Sequence, residues 1–324
     1  MPNLKSLILR NTSITYIGAG TFENMTLLKE LDIAGNHIGL NFDEDAFRGS
    51  LGLQKLSADE YQLCCLYFSV YKESKADCTT PASELSSCDD LLKSDSFRVF
   101  LWTLSLVTVC SNLGVLGYRV FVETSSHSSG HRVLVTNLCV SDLLMGIYVT
   151  IIGVADAVYR GQYLWKQREW THSSLCKAAG FLAMLSSEVS AFVVCLITLD
   201  RVLVVRFPLK RRLHLGTCSS LFACCGAWLL GLVIAAVPLF PSDWQFYGQT
   251  GICLPLPITR HKFPGHRYAF FVFIIFNLLL FVLIGVGQVV VFFDLRRRTS
   301  RARKKQNRDN DIARQTITNA KKEQ

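Results

Sequence analysis

Charge is scarce in five long stretches of this 324-residue chain, at 97–122, 133–159, 175–205, 218–240 and 268–293. Each stretch meets or exceeds the ~20 residues that a helix needs to cross the hydrocarbon core. A helix satisfies its own backbone hydrogen bonds, so apolar runs of this length in lipid read as helices. The scarcity excludes a wholly soluble protein. The sequence also lacks a nucleophile–base set, a metal-ligand cluster and a phosphate-cradling loop, so neither an enzyme nor a cofactor is expected. Internal repeats of the spans and Gly/Pro-broken helix pairs are absent too, which argues against a transporter. The start has no secretory signal: Met1 is followed by Pro-Asn-Leu-Lys-Ser-Leu, without a charged start, an apolar core or a small-residue cleavage site. A first span that inserts as a signal anchor would account for this. A chain that begins partway through a larger protein is the simpler account.

Half of the residues are hydrophobic, concentrated after Phe97, and the net charge of +9 is placed unevenly. With the N-terminus outside, the inner segments carry Arg119, Arg132, Arg206, Lys210, Arg211, Arg212 and the cations of 296–322. The outer loops carry Arg160, Lys166, Arg168, Arg260, Lys262 and Arg267. The bias predicts a multi-pass membrane protein with its N-terminus outside, which in the plasma membrane is extracellular. It marks a side of the bilayer and gives no sign of nucleic-acid binding. The twelve cysteines divide likewise. Six lie in apolar runs as small hydrophobes. Cys64, Cys65, Cys78, Cys88, Cys176 and Cys253 fall on the expected oxidising side, where an even number fits disulfides. Two glycosylation sequons, at Asn11 and Asn24, fall on the same side.

Residues 1–60 contain a repeat. Leu4-x-x-Leu7-x-Leu9-x-x-Thr12-x-Ile14 returns as Leu28-x-x-Leu31-x-Ile33-x-x-Asn36-x-Ile38, and a degenerate copy starts at Leu53-x-x-Leu56. Phe22 and Phe47 hold matching places between copies. This period and spacing mark a leucine-rich-repeat solenoid, an α/β module built of one short strand and a return segment per copy. Each repeat buries its apolar face against its neighbours. Ser6, Ile8, Arg10, Glu30, Asp32 and Ala34 are expected to line the concave face, which commonly binds protein ligands. A hinge over 61–96 holds Cys64, Cys65, Cys78 and Cys88. Four cysteines permit three pairings, and the sequence does not choose among them.

The membrane module is expected over 97–295, with a basic loop or tail over 296–324. Polar residues inside spans are costly and usually face the bundle interior. Here they are Asn112 in the first span, Leu138 with Asp142 in the second, and Ser186-Ser187-Glu188-Val189-Ser190 in the third. Cys176 opens the third span and Asp200-Arg201-Val202 ends it. Pro208-Leu209 follows, and Trp228 sits in the fourth span. In this order and at this spacing the pattern resembles the rhodopsin-like G-protein-coupled receptors. With the repeats, it is similar to their leucine-rich-repeat-containing group, the glycoprotein-hormone and relaxin-type receptors. Ser187-Glu188-Val189-Ser190, Phe246-Tyr247-Gly248 and Gly251-Ile252-Cys253-Leu254 resemble that group as well.

The resemblance implies an all-α membrane bundle in which five of seven spans are present. It implies coupling to a heterotrimeric G protein through Asp200, Arg201, Pro208 and Leu209, with an Asp200–Arg201 ion pair holding the inactive form. It further implies a Cys176–Cys253 disulfide, and a polar network of Asn112, Asp142 and Ser190 able to hold sodium. The ligand would be a peptide or protein hormone. Ala183 stands where amine receptors of the family carry an Asp, which argues against a small cationic ligand. Glu188 faces a ligand, a cavity or a polar helix, and the sequence leaves these open. Some features depart from the pattern. Val202 replaces the usual Tyr, the fifth span has Asn277 and no proline, and no low-density-lipoprotein-receptor module is present. The chain ends at Gln324, where a sixth span would begin. A fragment is therefore expected. The rival readings are a leucine-rich-repeat adhesion protein or co-receptor that uses the spans as an anchor, and a truncated decoy isoform.

Overall fold

The computed structural model describes residues 2–36, 38, 42–50, 52–70, 77–80, 86–121, 130–208, 215–241, 244–255 and 265–320. They fall into two compact units. One comprises Met1–Thr103, Thr150–Lys177 and Thr250–Cys253; the other comprises Leu104–Val149, Ala178–Gln249 and Leu254–Gln324.

The first unit begins with the repeats. Their strands β1 (Ser6–Ile8), β2 (Glu30–Asp32) and β3 (Lys55–Ser57) pair in parallel, with Leu7, Leu31 and Leu56 in register. Leu28, Leu31, Ile33 and Leu56 are fully buried, as the repeat spacing demands. Phe22 and Phe47 stack with ring centroids 5.7 Å apart, and Tyr67 meets Phe47 edge-on at the same distance. Asn36 ties two copies together. Its Oδ1 accepts from the Thr12 and Ile14 amides at 3.0 and 3.1 Å, and its Nδ2 donates to the Leu9 and Ile33 carbonyls at 2.7 Å. This is why an amide side chain suits the position: one group supplies both the acceptor and the donors that the turning backbone needs.

The sheet does not end at residue 60. A fourth strand, β4 (Asp77–Thr79), lies within the expected hinge and pairs with β3, placing Cys78 opposite Leu56. A cysteine held by a disulfide stands where earlier copies use leucine, so the leucine spacing alone does not reveal it. Between them, α1 (Tyr61–Val70) packs Leu63, Leu66 and Tyr67 onto the repeat core. Glu60, at the entry to α1, is pushed up to about 7 by burial, with Asp59 adding to the effect. The folded form therefore holds a proton that the unfolded chain releases near its ordinary 4.5. Stability from this site is fully present below about pH 4.5 and is lost as pH rises through about 7. Glu60→Gln should therefore stabilise the purified chain at pH 8, by an amount on the order of 1 kcal/mol read as a higher melting temperature, and leave it nearly unchanged at pH 4, below the ordinary value of 4.5.

Among the described residues, five helical stretches are long and apolar enough to cross a membrane: Asp95–Phe121, Gly130–Tyr159, Ser174–Arg206, Thr217–Leu239 and His266–Arg308. The first three are α2, α3 and α5, and α4 (Tyr163–His172) lies between α3 and α5. The fourth is α6 (Thr217–Ala236) with a 3₁₀ turn, Val237–Leu239, that accommodates Pro238. The last covers α7 (His266–Phe270), a π-helical segment Phe271–Phe276, and the larger part of α8 (Asn277–Ala320). In the second unit, Met184, Val189, Val193, Cys224, Ala235, Tyr247 and Val272 form the centre of the core. A Cβ on Gly231 would stand 2.7 Å from Val189 Cγ2, so glycine there permits the close approach of α6 to α5. The expected loop or tail over 296–324 is helical as far as Ala320. Arg, Lys, Gln and Ala are good helix formers, and neither glycine nor proline interrupts 296–320.

Candidate functional site

On the repeats, the exposed strand positions form a charged ladder. Arg10 pairs with Asp32 at 2.8 Å, Lys55 pairs with Glu30 at 3.1 Å, and the Ser6 hydroxyl donates to Glu30 at 3.2 Å. Arg10, Glu30, Asp32, Lys55, Ser57 and Thr79 line one concavity of about 330 Å³. Charged positions repeat across strands because each strand exposes alternate side chains at the same register.

The hinge is built around α1. Cys64 is bonded to Cys78 and Cys65 to Cys88, which resolves the pairing that the sequence left open. Cys88 then leads into the segment 86–92, which is held by the connection between α3 and α4. The first amides of a helix lack partners within it. Here the Tyr163 and Leu164 amides donate to the Asp89 and Cys88 carbonyls at 3.1 and 3.2 Å, and Gly161 N donates to Asp90 Oδ1 at 3.1 Å. Gln62 of α1 donates to Gln167 of α4 at 3.1 Å.

At the centre of this junction lies Asp156 of α3, whose side chain is fully buried. Its Oδ1 accepts from Leu92 N at 2.9 Å, and its Oδ2 accepts from Arg98 Nε of α2 at 2.6 Å and from Arg160 Nη2 at 3.4 Å. Arg98 also donates to the Leu92 carbonyl at 3.1 Å, to Asp90 at 3.3 Å, and to Asp95. The planar guanidinium fork suits this role, since it can serve several acceptors in fixed directions. Asp156 and Arg98 are not among the polar span residues named from the sequence. Their signal was present in the sequence: one acid and one base near the facing ends of consecutive apolar runs.

The same unit holds the Cys176–Cys253 disulfide, with Cα atoms 5.3 Å apart. Trp170 Nε1 donates to the Gly251 carbonyl at 2.7 Å. A Cβ on Gly251 would lie 2.2 Å from the Tyr163 hydroxyl oxygen, so the backbone can approach α4 here only as glycine.

In the second unit, Ser190 Oγ donates to Asp142 Oδ1 at 2.8 Å and lies 2.8 Å from Ser141 Oγ. Asn112 does not join them through a hydrogen bond among the described residues. Its amide donates to the Thr108 carbonyl of its own helix at 2.9 Å. A terminal amide four residues above a carbonyl reaches it without leaving the helix, and this local bond competes with a cross-helix one. Glu188, fully buried, accepts from Asn277 Nδ2 at 2.9 Å. Of the three surroundings left open for Glu188, this one is a polar neighbour on the fifth apolar stretch. Asn277 directly follows the π-helical segment, a feature frequent at functional positions.

At the end of α5, Asp200 and Arg201 part company. Asp200 is 6% exposed, whereas Arg201 is exposed and its Nη2 lies 2.9 Å from His131 Nε2 on α3. No ion pair joins Arg201 to Asp200 among the described residues. Successive helical residues point about 100° apart, so the two side chains leave on different faces. Pro208 is exposed just beyond α5, and Leu209 lies outside the described residues.

Comparison with known proteins matches both modules of the chain. Residues 111–320 match the family model of the 7 transmembrane receptor (rhodopsin family), and residues 2–62 match a leucine rich repeat. The G-protein coupled receptor GRL101 of Lymnaea stagnalis is 36% identical over 274 residues, covering 84% of this chain and 24% of that protein. Relaxin receptor 2 of Canis lupus familiaris is 30% identical over 79% of this chain and 34% of its own length. The lutropin-choriogonadotropic hormone receptor of Sus scrofa is 27% identical over 67% of this chain and 30% of its own. The chain thus spans about a quarter to a third of the length of these curated relatives.

Proposed function

The chain belongs to the rhodopsin-like seven-transmembrane receptor family, among its leucine-rich-repeat members, and from that premise we propose that it serves as a receptor for an extracellular peptide or protein hormone. The hormone binds the concave face of the repeats, the hinge passes the event to the spans, and their inner ends engage a heterotrimeric G protein. The N-terminus is extracellular, as the Lys/Arg asymmetry of the loops supports.

The observation that carries this reading is the junction at Asp156. A buried carboxylate binds the hinge backbone at Leu92 and the α2 guanidinium at Arg98 together. An inert anchor needs no such group, because a buried ion pair costs desolvation that apolar packing avoids. A ladder of alternating charges suits the proposed ligand face, since complementary charge gives a protein partner its register and approach rate. Asp142, Ser190 and Ser141 offer a carboxylate and two hydroxyl oxygens, the chemistry a sodium ion would take there. Asn112 lies outside that set.

Arg201 presents an exposed, always-charged donor for the G protein. Its neighbour in the structure is His131, 2.9 Å away. The test is a chimera in which spans one to five of this chain replace those of a relaxin receptor. Arg201→Ala should leave surface density within about twofold and lower hormone-driven G-protein activation by roughly thirtyfold or more, the loss expected when one partner of a desolvated charge contact is removed. Normal signalling by the variant at equal surface density would take Arg201 out of the mechanism.

A further inference from the structure

The apolar surface of α8 stops abruptly. Phe292, Phe293 and Leu295 are about half exposed, as side chains facing lipid would be. Arg296, Arg297 and Arg298 follow at once, and Arg301 comes one turn later; all four are exposed. At 1.5 Å of rise per residue the four span about 7.5 Å along the axis. That matches the ~5–7 Å of headgroup region on one side of a bilayer. At 100° per residue, the first three cover about 200° of the circumference, so they form a collar and not a single stripe.

Among the described residues, no acid pairs with the four arginines of the collar. Asp294 is engaged by Arg206 of α5 at 3.2 Å. No Asp or Glu occurs from 295 to 308, and Arg303, Lys304, Lys305 and Arg308 add to the excess. Arg298 itself bridges to α5 by donating to the Val205 carbonyl. Guanidinium groups from two helices are thus gathered at one level, directly beyond the last lipid-facing side chains.

We infer that this collar binds the phosphate-bearing headgroups of anionic phospholipids, with phosphoinositides preferred over phosphatidylserine. Four to eight cations immediately beyond a span form the pattern that anionic leaflets attract. Arginine favours phosphate because its fork pairs two oxygens at once. Each cation at the surface strengthens binding roughly fivefold. The placement at the inner leaflet rests on the orientation proposed above, but the binding itself does not.

The test uses the whole chain purified in detergent, with lipid retention counted by native mass spectrometry. The probes are phosphatidylcholine, phosphatidylserine, a short-chain phosphatidylinositol bisphosphate and soluble inositol trisphosphate. The expected order is phosphoinositide above phosphatidylserine above phosphatidylcholine, with phosphoinositide retained about tenfold or more over phosphatidylcholine. Changing Arg296, Arg297, Arg298 and Arg301 together to Gln should abolish the preference. Ser300→Glu, at an exposed position within the collar, should lower it about fivefold or more without disturbing packing. Equal retention of phosphoinositide and phosphatidylcholine would overturn the proposal, as would an unchanged preference in the Gln variant. Soluble inositol trisphosphate held as tightly as the lipid would also overturn it, because the site would then read a free phosphate ligand. A tag-accessibility assay in cells tests the orientation separately: a failure there would move the collar to the other leaflet and leave the lipid preference standing.

Discussion

Replacing Arg98 with alanine is expected to cost the hinge junction about 3–5 kcal/mol, the penalty of leaving a buried charge without its main partner. Asp156 would retain Leu92 N and the longer contact to Arg160, but its 2.6 Å charged bond would be lost. The reverse change should be milder. In Asp156→Ala, Arg98 would keep Asp90, Asp95 and the Leu92 carbonyl, so a loss of about 1–3 kcal/mol is expected. The melting temperature of the purified chain should therefore fall by roughly 10 °C in Arg98→Ala and by clearly less in Asp156→Ala. The double variant should be less damaging than the sum of the two, because the contact can be lost only once. Equal losses for the single variants, or strict additivity, would show that the two side chains are not the coupled pair described.

The second large effect is expected at Cys253. The Cys176–Cys253 bond closes a loop of 77 residues. A free-chain entropy model assigns about 4–5 kcal/mol to such a link. Spans held in a bilayer are already confined, so this value is an upper bound. Cys253→Ser should sharply reduce the folded chain at the cell surface. It should also loosen the Trp170–Gly251 contact two residues away. Cys176→Ser/Cys253→Ser should be no worse than either single change, and reductant should bring the native protein towards the level of the variants. Peptide mapping without reductant should recover the linked pair; either cysteine found free in folded protein would contradict the pairing.

Much of this architecture is legible in the sequence because the signals are periodic. Leu7, Leu31 and Leu56 recur at the spacing that aligns them across β1, β2 and β3. The five apolar runs appear as helices because lipid admits few other forms. What the sequence hides is aperiodic. β4 is hidden because Cys78 replaces a leucine. The α4 helix is hidden because its residues are amphipathic and polar, unlike a span. The Asp156–Arg98 junction joins residues 58 apart, and no local pattern marks them as partners. Asp200 and Arg201 are adjacent in sequence, yet helical geometry turns them apart and gives Arg201 to His131. Asn112 has the residue type of the family's polar network, but its amide is taken by Thr108 of the same helix.

On the proposed reading, the hinge and the outer ends of the spans act as one body that relays ligand binding. The most direct measurement uses a chimera carrying this chain's hinge and spans one to five, with the remaining parts from a relaxin receptor. Asp156→Asn keeps the size of the side chain and removes its charge. Hormone affinity and surface density are expected within about twofold of the unchanged chimera, together with at least a tenfold loss of hormone potency in guanine-nucleotide exchange. Full potency in the Asn variant, at equal surface density, would show that Asp156 takes no part in the relay.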